Sequence, residues 1–324
     1  MMSKPKVLVT RRWPQAVEEK MAQIFDLSLN SSDTPLTEAD FSAALGQYDA
    51  ILPTVTDRLP AAVFDRAAPR TRILANYGVG FAHIDTAAAK DRGIAVTNTP
   101  DVLSECTADI AMTLMLMVAR RAGEGERELR DGRWTGWRPT HMIGTKVSGA
   151  TLGIIGFGRI GQAMAQRAHF GFGMKILVQN RSAVPAEVLA RYNAVQVPTI
   201  EDLLPECDFV SLHCPGGAAN RHLINSRRLD LMRPGAFLIN TARGEVVDEH
   251  ALAQALWFGT IGGAGLDVFE REPKIPRELL DSDNLVLLPH LGSATRETRE
   301  AMGFRVLENL SDFFEGRQPR DRVA

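Results

Sequence analysis

Three side chains with chemical reach stand just past apolar runs in the second half of this 324-residue chain. Arg243 follows Ala236-Phe-Leu-Ile-Asn240, Glu272 follows Gly263 to Asp267, and His290 follows Asn284-Leu-Val-Leu-Leu288. If those runs are strands of one parallel sheet, the three groups gather at the rim where such sheets bind ligands. An arginine there can grip a carboxylate and polarise the adjacent carbonyl, and a histidine can protonate the alkoxide that forms. A carboxylate beside that histidine orients it and favours its charged form near neutral pH. This is the equipment for reducing a 2-oxo acid, given a hydride donor at the same rim.

A donor site is written in Thr151-Leu-Gly-Ile-Ile-Gly-Phe-Gly-Arg-Ile-Gly161, an apolar strand breaking into glycines spaced G-x-G-x-x-G where a helix begins. Gly156 permits the turn, Gly158 lets backbone approach a pyrophosphate, and Gly161 lets the helix Arg159 to Phe170 pack on its strand. The phosphates would meet the N-terminal N–H groups of that helix, at Arg159 and Ile160. The run Met174 to Gln179 closes a βαβ unit of the right length, which is the context the motif needs. At the end of this second strand, where an acid would hold a ribose 2′-hydroxyl, stand Asn180, Arg181 and Ser182. Arg181 offers a permanently charged planar fork to a 2′-phosphate and no carboxylate repels it, so the expected cofactor is NADP, with NADPH preferred over NADH.

These residues must be carried by a suitable frame. The length suits two domains of roughly 100 to 200 residues each. Lys+Arg 37 against Asp+Glu 39 gives a net charge of −2, so no basic field recruits nucleic acid or an anionic membrane, and the expected partner is a small molecule. Cys106, Cys207 and Cys214 have neither metal-ligand nor disulfide spacing, which fits a reducing compartment, and no metal is expected. The opening residues run straight into a strand without a signal-like apolar stretch, and no segment approaches about 18 uninterrupted apolar residues. A cytoplasmic location is expected.

The first hundred residues alternate strand and helix: Lys6 to Thr10, a helix from Pro14 to Phe25, a strand Asp49 to Pro53, a helix near Pro60 to Ala67, a strand Arg72 to Ala75, a helix near Thr86 to Asp91, and a strand Ile94 to Thr97. That pattern predicts a small parallel-sheet α/β domain. Lacking a glycine fingerprint, it is the candidate for the substrate side. Ser104 to Arg121 reads as one long helix, apolar nearly all round from Ile110 to Ala119, and therefore buried. Arg127 to Gly149 reads as a polar, glycine-studded excursion carrying Trp134 and Trp137. Further strands are expected at Asp208 to Leu212 and at the three runs above, with a helix from Asp248 to Phe258. Thr295 to Gly316 is helical and returns to the first domain. The domains expected are thus 1–100 plus 292–324 for substrate and 101–291 for the dinucleotide. His83, His141, His169, His222 and His250 lack a catalytic setting, while His213 follows a strand and could line the cofactor groove.

Over nearly its whole length the chain resembles the D-isomer-specific 2-hydroxyacid dehydrogenases, through GIIGFGRIG, INTARGEVVDE, AGLDVFEREP and LPHLGSAT. It is most similar to the glyoxylate/hydroxypyruvate reductase branch, through Trp134-Thr-Gly-Trp-Arg-Pro139 and Asn180-Arg181-Ser182. The resemblance implies that Arg243, Glu272 and His290 are the catalytic set, with His290 as acid/base and Glu272 its partner. It implies that Asp267 contacts the nicotinamide amide, that Cys214, Pro215, Thr241, Ala242 and Gly292 line the cofactor, and that the backbone of Val79 and Gly80 grips the substrate carboxylate. It further implies a doubly wound Rossmann-type domain, a smaller flavodoxin-like domain, a cleft between them bridged by the long helix, and a homodimer.

The expected activity is reduction of a small 2-oxo acid, glyoxylate or hydroxypyruvate, to the D-2-hydroxy acid. The nearest rival is a reductase of a bulkier 2-oxo acid such as an aromatic pyruvate, and the rival from another class is a nucleotide-sensing corepressor of the same fold. Glu272 argues against a formate dehydrogenase, whose histidine is paired with glutamine. Arg181, together with an expected end at residue 324 without a regulatory domain, argues against phosphoglycerate dehydrogenase.

Overall fold

The computed structural model describes residues 4–65 and 69–324. The chain divides into two compact units, one of residues 1–103 and 294–324 and one of residues 104–293. The first is built from β1 (Lys6–Val9), α1 (Gln15–Ile24), β2 (Asp26–Leu29), α2 (Glu38–Ala44), β3 (Ala50–Leu52), β4 (Ile73–Ala75), α3 (Thr86–Asp91) and β5 (Ala95–Thr97). All five strands are parallel, in the order β2-β1-β3-β4-β5. The residues of β3, β4 and β5 are buried on both faces, as crossover helices require. Phe41, Ile51, Leu59, Phe64, Leu74 and Val96 form the core on one side.

Two elements here escape the sequence pattern. β2 (Asp-Leu-Ser-Leu) is a half-exposed edge strand whose alternate positions are polar, and α2 is a short helix closed by a Thr37–Asp40 capping box. Of the helix expected near Pro60 to Ala67, the structure has one 3₁₀ turn, Ala61–Phe64, and Ala67 lies outside the described residues.

The second unit contains α4 (Ser104–Ala119), α5 (Ala122–Arg130), β6 (Thr151–Ile155), α6 (Arg159–Gln166), β7 (Lys175–Gln179), α7 (Ala186–Arg191), β8 (Ala194–Gln196), α8 (Ile200–Leu203), β9 (Phe209–Leu212), α9 (Ser226–Asp230), β10 (Phe237–Asn240), α10 (Glu249–Trp257), β11 (Gly263–Leu266), α11 (Arg277–Leu280) and β12 (Leu285–Leu287). Its seven parallel strands run β12-β11-β10-β9-β6-β7-β8, the doubly wound order with the reversal between β6 and β9. Alternate residues feed separate cores on the two faces: Leu152, Ile154, Phe237 and Ile239 on one, Ile155, Leu238 and Leu266 on the other. The long apolar helix ends at Ala119, and Arg121, held at φ 53, turns the chain into α5. The excursion expected from Arg127 accordingly begins inside that helix. α4 packs on β10, β11 and α6, which explains its apolar circumference.

The last helix, α12 (Arg296–Phe314), belongs to the first unit and packs on α1 and β4. No helix among the described residues is long and apolar enough to cross a membrane.

Candidate functional site

The fingerprint loop lies at the switch point of the larger sheet. Gly156 has φ +91, and a Cβ on it would lie 2.6 Å from the backbone nitrogen of Cys214; a Cβ on Gly161 would lie 2.3 Å from the carbonyl oxygen of Gly156. Nothing larger than glycine fits at either place. Gly158 is the opposite case, with nothing within 4 Å of its ideal Cβ position, so the loop turns bare backbone toward open space. Gly158 caps α6 without a side-chain hydrogen bond, which leaves the first-turn N–H groups and the positive end of the helix dipole facing that space. Arg159 and Ile160 open the helix, and Cys214 and Pro215 follow β9 across the switch point. Burial pushes the Cys214 thiol up to about 11, so it stays protonated at neutral pH. The hydroxyl of Thr241, just past β10, is buried with no partner among the described residues, and so is Nδ1 of His213. An uncapped helix start and a glycine cradle beyond β6, with an orphaned hydroxyl beyond β10, are what a dinucleotide would occupy.

At the end of β7, Asn180 is an organiser as much as a candidate ligand. Its Oδ1 accepts from the Phe157 amide at 3.1 Å, locking the two loops together, and its Nδ2 donates to the carbonyl of Ser182 at 3.0 Å. Arg181 and Ser182 are exposed, and nothing among the described residues hydrogen-bonds or ion-pairs with Arg181.

Arg243, Glu272 and His290 lie beyond the C-terminal ends of β10, β11 and β12. Gly244 allows the close approach of their loops: a Cβ there would fall 1.8 Å from the carbonyl carbon of Phe269. His290 Nδ1 lies 2.8 Å from Oε2 of Glu272, while Oε1 of Glu272 accepts from the Phe269 amide at 3.0 Å. Burial alone would raise the Glu272 carboxyl; its hydrogen bond and charge interaction with His290, the Phe269 amide and the Arg243 charge outweigh that and hold it below the ordinary value. Burial works against the Arg243 charge, and Glu272 and Glu245 support it. The Arg243 guanidinium also donates to the Ala242 carbonyl at 2.7 Å. His290 sits at φ +56, an uncommon conformation for a non-glycine residue.

What holds His290 there is Asp267. Its two carboxylate oxygens accept the amides of Leu291 at 2.6 Å and Gly292 at 2.7 Å, and the Gly292 carbonyl accepts from Thr107 of α4 at 3.0 Å. Burial raises the Asp267 carboxyl, with those amides opposing the shift. This anchoring role of Asp267, and the part of Thr107 in it, are not legible from the motif because both join residues far apart in the chain.

In the first unit, Val79 and Gly80 lie on a loop after β4 in which the carbonyls of Gly78, Val79 and Gly80 are all engaged. Gly78 O accepts from Asn76 Nδ2 at 2.9 Å and from the Thr99 amide at 3.1 Å, Val79 O from Asn98 Nδ2 at 2.8 Å, and Gly80 O from Asn76 Nδ2 at 3.0 Å. His83 braces Asn76 through a 3.0 Å contact to its Oδ1. No described residue takes the amides of Val79 and Gly80, so two successive N–H groups are left for an anion.

An all-parallel, doubly wound sheet with a glycine fingerprint at its reversal point defines a dinucleotide-binding α/β protein. Residues 112–292 match the family model described as D-isomer specific 2-hydroxyacid dehydrogenase, NAD binding domain. The chain is 45% identical over 320 residues to the glyoxylate reductase of Thermococcus onnurineus, covering 98% of this chain and 95% of that protein. It is 45% identical over 322 residues to the glyoxylate reductase of Korarchaeum cryptofilum, covering 99% and 96%. Among solved structures it is similar, at TM-score 0.88 and 36% identity over 99% of this chain and 97% of that one, to the NADPH-dependent glyoxylate/hydroxypyruvate reductase of Sinorhizobium meliloti in complex with NADP and malonate. The chain belongs to the D-isomer specific 2-hydroxyacid dehydrogenase family.

Proposed function

We propose that this protein reduces a small 2-oxo acid, glyoxylate or hydroxypyruvate, to the corresponding D-2-hydroxy acid with NADPH. The observation that carries the reading is the 2.8 Å His290–Glu272 pair at the strand ends, with the half-buried Arg243 charge acting on Glu272. In this reading Arg243 binds the substrate's carboxylate and polarises its carbonyl, the Val79 and Gly80 amides hold the same carboxylate, and His290 delivers a proton to the carbonyl oxygen. The bound nicotinamide would supply the hydride to the carbonyl carbon. Glu272 orients the imidazole. Gly156, Gly158, Arg159, Ile160 and Gly161 would cradle the pyrophosphate, Asn180, Arg181 and Ser182 the adenosine ribose, and Cys214, Pro215, Thr241, Ala242, Asp267 and Gly292 the remaining groove.

Support for the substrate class comes from the similarity to glyoxylate reductases, and for NADPH from an exposed, unpaired Arg181 with no acid beside it. The test is oxidation of NADPH and NADH against glyoxylate, hydroxypyruvate and phenylpyruvate. Preference for the two small acids is expected. Preference for phenylpyruvate would make it the bulkier-substrate enzyme, and absence of turnover would leave a nucleotide-binding module.

We also propose a homodimer in a reducing cytoplasm. Trp137 is 82% exposed and Ile143 67%, with Leu129 and Trp134 also exposed, a concentration of apolar surface that interfaces use. The three cysteines are free thiols. Sedimentation at micromolar concentration should give a dimer, and a fully active monomer would overturn that assignment.

A further inference from the structure

We infer that the closing segment of the chain positions the substrate loop, with Asp321 as the key residue acting through Asn98. A trans peptide unit is planar, with its C=O and N–H pointing in opposite directions. Fixing the Val79 carbonyl therefore aims the Gly80 N–H, and fixing the Gly78 carbonyl aims the Val79 N–H. The group that fixes the Val79 carbonyl is Asn98 Nδ2, at 2.8 Å.

Asn98, just past β5, is held from both backbone sides by the end of the chain. Its N–H donates to the Asp321 carbonyl at 3.2 Å, and its carbonyl accepts from Asn309 Nδ2 on α12 at 3.3 Å. The Asp321 carboxylate in turn accepts from the same Asn309 amide at 3.0 Å and takes the Arg305 guanidinium in a two-pronged pair at 2.5 and 2.9 Å. The Asn309 Oδ1 accepts the Asp321 amide at 3.2 Å. Asn98 and Asp321 are each 8% exposed and Asn309 is 1% exposed, so the three residues that link the segment to the loop are buried, with Arg305 half-buried beside them. The segment is also fastened to the edge strand: Val323 donates to the Val96 carbonyl at 2.8 Å, and Val96 donates to the Ala324 carbonyl at 3.1 Å.

Exposed surface pairs hold a side chain weakly, whereas breaking a buried two-pronged arginine–carboxylate pair leaves an uncompensated charge. Losing the Asp321 carboxylate should thus free Asn309, loosen Asn98 and let the Val79–Gly80 peptide unit tilt. Asp321, Arg305 and Asn309 are positioning residues in this scheme; none touches substrate. The inference rests on the proposed use of the Val79 and Gly80 amides as the carboxylate grip.

The experiment uses the full chain saturated with NADPH and compares wild type with Asp321→Ala, Arg305→Lys and the surface control Arg317→Ala. Three quantities are read: the ¹⁵N amide shift of Gly80 on titration with oxamate, an unreactive carboxylate analogue of a 2-oxo acid; the KM and kcat for glyoxylate; and the Kd for NADPH. Asp321→Ala should weaken oxamate binding and raise the glyoxylate KM by about tenfold, equivalent to about 1.4 kcal/mol, with kcat less affected and NADPH affinity within about twofold. Arg305→Lys, which keeps the charge but not the fork, should fall between wild type and Asp321→Ala. Arg317→Ala should match wild type.

A folded Asp321→Ala protein with wild-type KM and an unchanged Gly80 response would overturn the inference. So would a parallel loss of NADPH affinity, which marks a merely structural role. Should Asp321→Ala not fold, Arg305→Lys decides by the same criteria. If wild type turns over no 2-oxo acid but its Gly80 amide responds to oxamate and the variants' amides do not, the proposed function fails and the positioning role stands.

Discussion

His290 Nδ1 and Glu272 Oε2 are 2.8 Å apart, and the second carboxylate oxygen of Glu272 is tied to the Phe269 amide. The carboxylate is thus clamped before it orients the imidazole, so its position depends on the backbone of its own loop. On the other side of His290, Asp267 takes the Leu291 and Gly292 amides and keeps the histidine at its positive φ. Two carboxylates consequently serve one histidine, one at the ring and one at the main chain.

His290→Ala should reduce kcat for glyoxylate reduction by about 10² to 10⁴, the contribution typical of general acid catalysis. NADPH affinity, followed by nucleotide fluorescence, should change little. Near-wild-type turnover would remove His290 from the role of proton donor.

Glu272→Gln should lower kcat for glyoxylate reduction, because an amide cannot replace the carboxylate that holds the His290 imidazole at 2.8 Å. A stability effect accompanies it. The Glu272 carboxyl is held below its ordinary value, so the stabilisation it confers is present above the ordinary glutamate range and is lost as pH falls through its folded value. The glutamine variant should lack that acid-side loss in denaturant midpoints, and an unchanged kcat with midpoint profiles that superimpose on wild type would make Glu272 a bystander.

Cofactor choice should follow Arg181. A charge-assisted contact of about 1.5 to 3 kcal/mol to a 2′-phosphate would favour NADPH over NADH roughly ten- to more than a hundredfold in kcat/KM. Asn180→Asp combined with Arg181→Ala should reverse the preference, and the aspartate can still accept the Phe157 amide that Asn180 accepts now. Equal use of both nucleotides by wild type would reduce Arg181 to a solvated cation.

His213, half-buried after β9 with its Nε2 2.9 Å from the Ser211 hydroxyl, has its pKa lowered by burial to about 4. It is neutral in the folded state, while the unfolded chain takes up the proton near the ordinary value of 6.5. Folding stability should therefore decline as pH falls from about 6.5 toward about 4. His213→Gln should flatten that decline in urea unfolding; an unchanged slope would show that other groups cause it.

The parts of this protein that are legible in its sequence are local. An apolar strand breaking into Gly156, Gly158 and Gly161 announces its own turn, because close approach at Gly156 and Gly161 excludes any Cβ. The runs before Arg243, Glu272 and His290 read as strands because residues buried on both faces of a parallel sheet leave continuous apolar stretches. Edge elements such as β2 and β8 carry no such stretch, since only part of each is covered, and the break at Arg121 depends on one residue's φ rather than on composition. The braces around the functional groups needed the tertiary structure. Asp267 with Gly292, Thr107 with Gly292 and Asp321 with Asn98 join residues 25, 185 and more than 200 positions apart. No periodicity connects positions so distant; only the packed fold brings such a donor to its acceptor and, by excluding water, makes each unpaired partner costly.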